Sequence, residues 1–479
     1  MNWALFLVFA EWLVRIGVSA RVISRRTNVS ESLAWMGLIL LFPFAGTLLY
    51  LWFGEALTGR RRSKWMKRVR PVFERWLLDV APRTIKEWAD GQEEERALST
   101  MVLNTVGVPA LPGNRVTLIA SATAFVDALV VDIAAAKRAC YLEFYIWEEG
   151  GVVDRVVDAL LEAAGRGVDC RVLVDDVGSR GFLRTRSGRK LREGGVQVFS
   201  GLPVGILQAR FRRWDLRLHR KIVVIDEDIG YTGSQNMADP STFKKEKGVG
   251  QWIDAMVRVE GEAAEALLVT FLSDWQLETG SGIEQLERAI QATPIPSKKS
   301  AIVQVIPTGP TLARDVAKQI LINAIYGASG RLVLTTPYYV PDENLQLAML
   351  SAARRGVEVT LIVPEKVDSR LVHFASAPYL VDLIEAGVKV QLYQKGLLHT
   401  KSITVDERYS LFGSLNLDAR SLHLNFEITV AVYDRAFTRN LRGLQLDYLA
   451  DSQPMVVPVR PSFGRRMIEN AVRLLAPLL

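Results

Sequence analysis

Cysteine and histidine are both scarce in this sequence. Its 479 residues include only two cysteines and four histidines. Cys140 and Cys170 have neither metal-ligand nor redox spacing, so we expect buried thiols in a reducing compartment, with a disulfide between them left open. No His-Glu-x-x-His sequence, Walker loop or dinucleotide-binding fingerprint occurs. The sequence therefore predicts a protein with no nucleotide cofactor and no obligatory metal ion.

Two of the four histidines fall in a pattern that occurs twice. The first copy is His219-Arg220-Lys221, Asp226 and Gly233-Ser234-Gln235-Asn236, and the second is His399-Thr400-Lys401, Asp406 and Gly413-Ser414-Leu415-Asn416. In each copy the lysine follows the histidine by two residues, the aspartate by seven and the asparagine by 17. One His-x-Lys is common, but two copies that agree at six positions over 18 residues indicate a shared function.

The spacing of this pattern suits a phosphate site. The residues after Lys221 are apolar and β-branched, which predicts a strand that includes the histidine. Residues i and i+2 of a strand share a face, so His219 and Lys221 would project together, while Asp226 would form an ion pair or turn at the strand end. With Ser234 and Asn236 as further donors, these groups could hold and attack a phosphate. For a single copy, a satisfied histidine beside a surface lysine is the alternative.

At these positions the sequence resembles the phospholipase D superfamily, which is defined by paired His-x-Lys-x4-Asp motifs. It is similar to bacterial cardiolipin synthases of the membrane-anchored class in an N-terminal hydrophobic pair and in residues 144–147, 248–254, 336–341 and 422–428. The resemblance covers essentially the whole chain. It implies a catalytic set of His219, Lys221, Asp226, His399, Lys401 and Asp406, with substrate-binding residues Ser234, Asn236, Ser414 and Asn416.

The resemblance also implies a reaction. One imidazole would attack the phosphorus of phosphatidylglycerol to form a phosphohistidine, while the other would protonate the departing glycerol. A second phosphatidylglycerol would then accept the phosphatidyl group, which gives cardiolipin without any cofactor. Family analogy favours His219 as the nucleophile, but the symmetry of the motifs leaves the choice open.

Two carboxylates downstream of the motifs are candidates for orienting the histidines. Asp254 follows the first motif in a Trp-Ile-Asp context, and Glu427 follows the second in a Phe-Glu-Ile context. Each is expected to hydrogen-bond a histidine and fix its tautomer, as a carboxylate does in a catalytic triad. A surface carboxylate at a strand end is the alternative. The remaining histidines, His373 and His423, lack partners at motif spacing and are interpreted as structural.

Other functions and partners remain open on the sequence alone. A hydrolase, either a phospholipase D or a nuclease, would use the same residues because water can replace the alcohol. A non-catalytic lipid-binding scaffold would have no reason to keep both imidazoles. The net charge of +7 and the arginines interleaved with Phe211 and Trp214 favour an anionic partner. Beside a hydrophobic N-terminus, we expect phosphatidylglycerol, other anionic phospholipids and the bilayer rather than nucleic acid, with the oligomeric state open, a homodimer included.

The repeat predicts an α/β fold of two phospholipase D-like domains, each a mixed sheet flanked by helices, docked by pseudo-twofold symmetry. Residues 163–174 match residues 352–363, each a helix end, a glycine stop and a buried strand. The offset is 189 residues there and 180 at the histidines, which places nine extra residues near 202–214. The predicted boundaries are 115–280 for the first domain, 281–299 for a linker, and 300–479 for the second domain with a C-terminal amphipathic helix.

An N-terminal membrane anchor, residues 1–60, is predicted to form a transmembrane helical hairpin. Residues 32–54 carry no charge and are long enough to cross a hydrocarbon core of about 30 Å. Pro43 and Gly46 would kink or break that helix midway. Residues 2–20 form the other apolar segment.

Charged residues decide how this anchor is interpreted. Glu11 and Arg15 interrupt the first segment at a spacing that lets them pair on one helix face. A basic helical connector, residues 61–114, follows, and seven Lys or Arg within residues 60–70 predict catalytic domains on the cytoplasmic side of a bacterial inner membrane. Arginines between the two segments also favour the inside, so a pair of interfacial or re-entrant helices is the alternative.

Overall fold

The structure, a computed structural model, describes residues 3–24, 29–54, 71–85, 87–204, 213, 215–281, 301–312, 315–456, 464 and 467. The chain forms two compact units, one of residues 1–64 and 203–216 and the other of residues 65–202 and 217–479. The predicted linker, C-terminal amphipathic helix, basic cluster and aromatic–arginine stretch lie wholly or mostly outside the described residues.

The smaller unit contains helices α1 (Trp3–Ser24), α2 (Val29–Leu41) and α3 (Pro43–Leu49), followed by a π-helical turn (Tyr50–Gly54). Glu11 and Arg15 form the predicted ion pair on α1. The second hydrophobic segment is divided at Phe42, because Pro43 begins a new helix there. No helix in the described part of the chain is both long and apolar enough to cross a membrane.

The larger unit is built on one mixed sheet that runs through both sequence halves. The strands of the unit are β1 (Leu111–Ile119), β2 (Ala139–Phe144), β3 (Asp169–Asp175), β4 (Gln197–Gly201), β5 (Ile222–Ile225), β6 (Ile229–Gly233), β7 (Trp252–Ile253), β8 (Met256–Glu260), β9 (Ala301–Thr308), β10 (Arg331–Thr335), β11 (Tyr339–Val340), β12 (Glu358–Pro364), β13 (Lys389–Tyr393), β14 (Leu397–Leu398), β15 (Ser402–Val405), β16 (Tyr409–Gly413), β17 (Leu417–Asp418), β18 (Glu427–Tyr433) and β19 (Ser452–Pro454).

Fifteen of these strands form the sheet, in the order β19-β13-β12-β10-β15-β16-β18-β9-β1-β8-β6-β5-β2-β3-β4. β1 and β9 pair antiparallel at its centre, and the strand order on one side mirrors the order on the other. This arrangement has the pseudo-twofold relation that the repeated motif predicts. Two short parallel pairs, β7 with β14 and β11 with β17, complete the unit. The β7–β14 pair joins the two sequence halves a second time.

Helices cover both faces of the sheet. They are α4 (71–80), α5 (Glu93–Val106), α6 (Ala122–Ala135), α7 (Asp154–Gly165), α8 (Arg186–Glu193), α9 (Glu262–Thr279), α10 (Val316–Gly327), α11 (Glu343–Arg354), α12 (Arg370–Glu385), α13 (Ala419–His423) and α14 (Arg435–Ala450). On β2, Cys140 and Leu142 pack in the core with residues of α6 and α7, whereas Tyr141 stacks on Phe271 of α9 at 5.1 Å. This alternation is what a strand buried on both faces produces.

Two local predictions about the chain can be compared with this fold. The helix–glycine–strand repeat is confirmed, since Gly167 before β3 and Gly356 before β12 have φ values of +87° and +90°, conformations that stop a helix and favour glycine. The other prediction concerns the start of the first domain, which was placed at residue 115 and stays a prediction. β1 starts at Leu111 because the Asn114 amide donates to Leu111 O and to Ala301 O, which ties β1 to β9.

Candidate active site

The two motif histidines lie just before the strands that were predicted to contain them. β5 begins at Ile222 and β15 at Ser402, three residues after each histidine. The His219 backbone N–H donates to Phe426 O at 2.9 Å. Likewise, the His399 N–H donates to Ile253 O at 2.8 Å. Each histidine is therefore hydrogen-bonded to the backbone of the opposite half of the sheet. Regular strand pairing within its own half begins three residues later.

The carboxylates downstream of the motifs pair with the histidines crosswise. His219 Nδ1 lies 2.8 Å from Glu427 Oε2, and His399 Nδ1 lies 2.7 Å from Asp254 Oδ1. The predicted hydrogen bonds are thus present, and both carboxylates are buried. Each carboxylate comes from the half that does not carry its histidine. Because an ionised carboxylate accepts from Nδ1–H, each Nε2 atom carries the lone pair that can face a substrate.

The motif serines, which were predicted to bind substrate, hydrogen-bond the carboxylates that hold the histidines. Ser234 Oγ donates to Asp254 at 2.6 Å, and Ser414 Oγ donates to Glu427 at 2.6 Å. A hydroxyl has one hydrogen to donate, so neither serine has a second donor for a phosphate oxygen. The serines instead orient the carboxylates that orient the histidines.

Glu427 is held by two further donors that the sequence did not indicate. Ser421 Oγ donates to Glu427 Oε1 at 2.8 Å, and the Asn425 amide donates to the same oxygen at 3.1 Å. Both residues lie within or just after α13, and neither stands at a position of the repeated motif. Only the folded position of Glu427 identifies them.

Both motif lysines are buried against the backbone of their own histidines. Lys221 Nζ donates to His219 O at 2.7 Å, and Lys401 Nζ donates to His399 O at 2.5 Å. Burial lowers the pKa of Lys221 to about 8 and that of Lys401 to about 7, although nearby carboxylates act in the opposite direction. Each ammonium is therefore charged in weakly acidic solution and titrates near neutrality.

Burial also sets the charge of the imidazoles. The pKa of His219 and of His399 is lowered to about 4, chiefly by burial and also by the ammonium groups of both lysines, although the paired carboxylates act in the opposite direction. Burial alone would raise the pKa of Asp254, but His399 and Lys401 lower it to about 2. At neutral pH the site therefore holds neutral imidazoles beside ionised carboxylates. Since both lysines act on each histidine, the two half-sites form one electrostatic environment.

The motif aspartates lie at the far ends of the strands from the histidines. Asp226 accepts from the backbone N–H groups of residues 137–139, and Asp406 accepts from those of residues 329–331. Both have left-handed φ values, +51° and +50°. Seven residues of extended chain separate each from its histidine, about 20 Å. The predicted turn role is confirmed, and these aspartates do not contact the catalytic groups with which the resemblance placed them.

The motif asparagines are buried near the same groups. Asn236 Oδ1 accepts from Ile146 N at 3.2 Å. The Asn416 side chain hydrogen-bonds Asp418, and burial raises the pKa of that carboxyl group to about 6. Asn416 Oδ1 is buried without a hydrogen-bond partner in the described part of the chain. The role of these amides as phosphate donors stays a prediction.

Aromatic rings line the two histidines differently. The Tyr145 ring lies 5.0 Å from the His219 ring, and the Trp252 ring lies 4.6 Å from the His399 ring. Both aromatic residues come from the first half of the sequence, so they break the pseudo-twofold symmetry of the catalytic groups. No spacing rule in the sequence assigns them to the site. Within the described ranges, no group of three or more His, Cys, Asp or Glu residues could hold a metal ion.

The sequence matches the profiles of two known protein families. A profile described as cardiolipin synthase, PLD-like domain, matches residues 129–275 and 321–444. A second profile, described as phospholipase D-nuclease N-terminal, matches residues 15–55. The two segments of the first match contain both copies of the histidine motif.

Curated relatives match over nearly the full chain. Cardiolipin synthase A of Serratia proteamaculans is 40% identical over 482 residues, which cover 100% of this chain and 99% of the relative. Cardiolipin synthase A of Yersinia pseudotuberculosis is 40% identical over 445 residues, 93% of this chain and 92% of the relative. Among solved structures, phosphatidylserine synthase of Haemophilus influenzae superposes with a TM-score of 0.61 at 16% identity, covering 80% of this chain and 100% of that one. That likeness concerns the fold alone.

Proposed function

The chain belongs to the cardiolipin synthase family of the phospholipase D superfamily, and we propose that it transfers a phosphatidyl group from one phosphatidylglycerol to another, giving cardiolipin and glycerol. The enzyme is a phosphatidyltransferase. The observation that carries the detailed proposal is the crosswise pairing of the two histidines with Glu427 and Asp254. Neither half of the sheet contains a complete histidine–carboxylate pair, so one site must be built from both.

In the first step, His219 Nε2 attacks the phosphorus of the donor lipid. The N–P bond forms as the P–O bond to glycerol breaks, and the departing oxygen takes a proton from His399. Glu427 stabilises the charge that develops on the attacking imidazole, as Asp254 does for the acid. The product of this step is a phosphatidyl-histidine with free glycerol.

In the second step, the hydroxyl of the acceptor lipid occupies the place that glycerol has left. His399 Nε2 takes its proton, the new O–P bond forms, and the N–P bond to His219 breaks. The two buried ammonium groups, Lys221 and Lys401, and the amides of Asn236 and Asn416 hold the phosphoryl oxygens as their charge shifts. In this step His399 recovers the proton that it gave to glycerol in the first.

The first step requires a protonated His399, whereas the empty site keeps this imidazole neutral at pH 7. The donor phosphate resolves the conflict, because a negative charge close to an imidazole raises its pKa. We therefore propose that donor binding is accompanied by uptake of one proton. Calorimetry of phosphatidylglycerol binding in buffers of different ionisation enthalpy measures that uptake directly.

The N-terminal helices are proposed to attach the enzyme to the inner membrane, with residues 115–280 and 300–479 as catalytic domains on the cytoplasmic side. On α1, the large apolar side chains of Trp3, Phe6 and Phe9 are exposed, as is usual for helices that contact lipid. Attachment concentrates the acceptor lipid at the site, where it competes with water. Removal of residues 1–60 should lower the ratio of cardiolipin to phosphatidic acid. An unchanged ratio would leave the anchor as a tether only.

The test of the function is the product formed from labelled phosphatidylglycerol. Purified enzyme in detergent–lipid mixtures should give labelled cardiolipin and an equal amount of glycerol. Phosphatidic acid as the main product would identify a hydrolase, and no product would indicate a lipid-binding scaffold. The His219→Ala variant is the control, since it keeps the lipid-binding surface and removes the proposed nucleophile.

A further inference from the structure

The first half of the sequence carries an insertion beside the catalytic groups. Eighteen residues separate Asn236 from Asp254, but only 11 separate their counterparts Asn416 and Glu427. The residues at the two ends of one segment have the same roles as those at the ends of the other. The seven additional residues therefore have no counterpart in the second half. Duplication of the motif therefore does not explain them.

Lys244 lies in this insertion in an unusual conformation. Its φ and ψ angles are +48° and +36°, a left-handed conformation that is uncommon for a residue with a long side chain. The ammonium lies over the rings of Phe243 and Trp252, at 5.2 and 5.1 Å from their centroids. Strained backbone of this kind is usually kept where it positions a functional side chain.

The Lys244 ammonium is close to the catalytic histidine of the second half. The ammonium lies 5.1 Å from the centroid of the Trp252 ring, and that centroid lies 4.6 Å from the centroid of the His399 ring. The distance from the ammonium to the imidazole is therefore at most the sum of these two distances. The indole N–H of Trp252 is buried and has no hydrogen-bond partner in the described part of the chain. The ring that packs against His399 therefore carries a cation over its face and a buried N–H without a partner.

Lys244 keeps donors for a ligand. Its one ion pair in the described structure is with Asp368 at 3.4 Å, a long contact, and Asp368 already accepts from Tyr338 at 2.6 Å. Two thirds of the Lys244 side chain is buried, and an ammonium has three hydrogens to donate. A cavity of about 380 Å³ adjoins the insertion, and its lining consists of residues 248–250, 365–366 and 393–396 without Lys244 itself.

The chemistry of the acceptor requires such a cation. The attacking hydroxyl belongs to a glycerol whose other end carries the acceptor's own phosphodiester, about 6 Å away by ordinary bond lengths. The departing glycerol of the donor has no such charge. We propose that Lys244 and the Trp252 indole N–H form a subsite for the phosphodiester of the acceptor phosphatidylglycerol. This inference rests on the proposed function and on His399 being the acid and base.

Glycerol exchange separates this subsite from the catalytic step. When labelled glycerol attacks the phosphatidyl-histidine, the enzyme returns labelled phosphatidylglycerol by the same bond changes, but the acceptor carries no phosphate. An acceptor-phosphate subsite should matter for cardiolipin formation and not for exchange. Both rates can be measured in the same vesicles of phosphatidylglycerol and a neutral lipid.

We expect Lys244→Gln to lower cardiolipin formation about tenfold or more, the effect of losing one charge-assisted contact, while exchange changes less than twofold. Lys244→Arg, which keeps the charge, should recover most of the loss. Lys247→Gln, at an exposed lysine of the same loop, is the matched control and should change neither rate.

Two outcomes would overturn the subsite while leaving the proposed function intact. One is an equal fall of both rates in Lys244→Gln, which would make the residue part of the donor site or of the fold. The other is no fall in either rate. A wild-type enzyme that exchanges glycerol but makes no cardiolipin would instead overturn the proposed function and the subsite with it.

Discussion

Glu427 Oε2 lies 2.8 Å from His219 Nδ1, although the two residues are 208 positions apart and belong to opposite halves of the sheet. The same exchange joins Asp254 to His399. A separate half would therefore have a histidine without its carboxylate and a carboxylate without its histidine. The symmetric sheet serves the chemistry, because the joins of β1 with β9 and of β7 with β14 bring the two halves together.

Glu427→Gln should lower kcat by at least about 100-fold with little change in protein stability. The amide preserves the shape of the side chain, but it no longer fixes the Nδ1–H tautomer or stabilises an imidazolium. Steady-state cardiolipin synthesis and a thermal melt measure the two effects. Glu407→Gln, at an exposed glutamate, is the control. Near-normal kcat in Glu427→Gln would show that the crosswise pair has no catalytic role.

His219→Ala and His399→Ala should each abolish cardiolipin formation, and the double variant should be no worse than either single one. Both imidazoles serve a single turnover, so their losses are not additive. Residual synthesis above a few per cent in either single variant would contradict a shared site. Circular dichroism should confirm that each variant is folded.

The pH profile of kcat/KM should be highest near pH 4 and fall on both sides. At lower pH the His219 imidazole, with a pKa of about 4, takes up a proton and loses its lone pair. At higher pH the His399 imidazole, also with a pKa of about 4 in the empty site, loses the proton that it gives to glycerol. The fall steepens above about pH 7, where Lys401 loses its charge. Since kcat/KM reports the free enzyme, both limits refer to the empty site. Activity that rises steadily from pH 7 to pH 10 would contradict this assignment.

Arg220→Met should destabilise the protein by about 3–5 kcal/mol, because it breaks a buried ion pair by removing one partner. Arg220 forms a buried ion pair with Asp274 and donates to Glu427 O and Thr308 O, so it links the halves behind the site. Arg155→Met, which removes an exposed ion pair with Asp127, should cost no more than about 1 kcal/mol. Urea denaturation of both variants measures the difference, and equal midpoints would contradict it.

Several elements of the fold could be predicted from the sequence, because residues close together in the chain determine them. The spacing of His219, Lys221 and Asp226 predicted the strand and its closing turn, and the glycine stops predicted the helix ends. The crosswise exchange of Glu427 and Asp254 could not be predicted, since it depends on how two sheets join. Strand parity carries no information about a partner 208 residues away.

The same limit applies to the motif serines. Ser234 and Ser414 were expected to bind substrate because serine suits phosphate, but the sequence does not show that a buried carboxylate accepts from each hydroxyl. The break in the second hydrophobic segment was predictable, because proline at position 43 favours the start of a new helix, and the structure has a helix that begins there.

The most direct test of the account is to identify the residue that carries the phosphatidyl group during turnover. Enzyme mixed with phosphorus-labelled phosphatidylglycerol, quenched in base within the first turnover and digested, can be analysed for phosphohistidine by mass spectrometry. The account predicts label on His219, none on His399, and loss of the label when unlabelled glycerol is added before the quench. Label on His399, or cardiolipin formed at full rate with no labelled histidine, would contradict it.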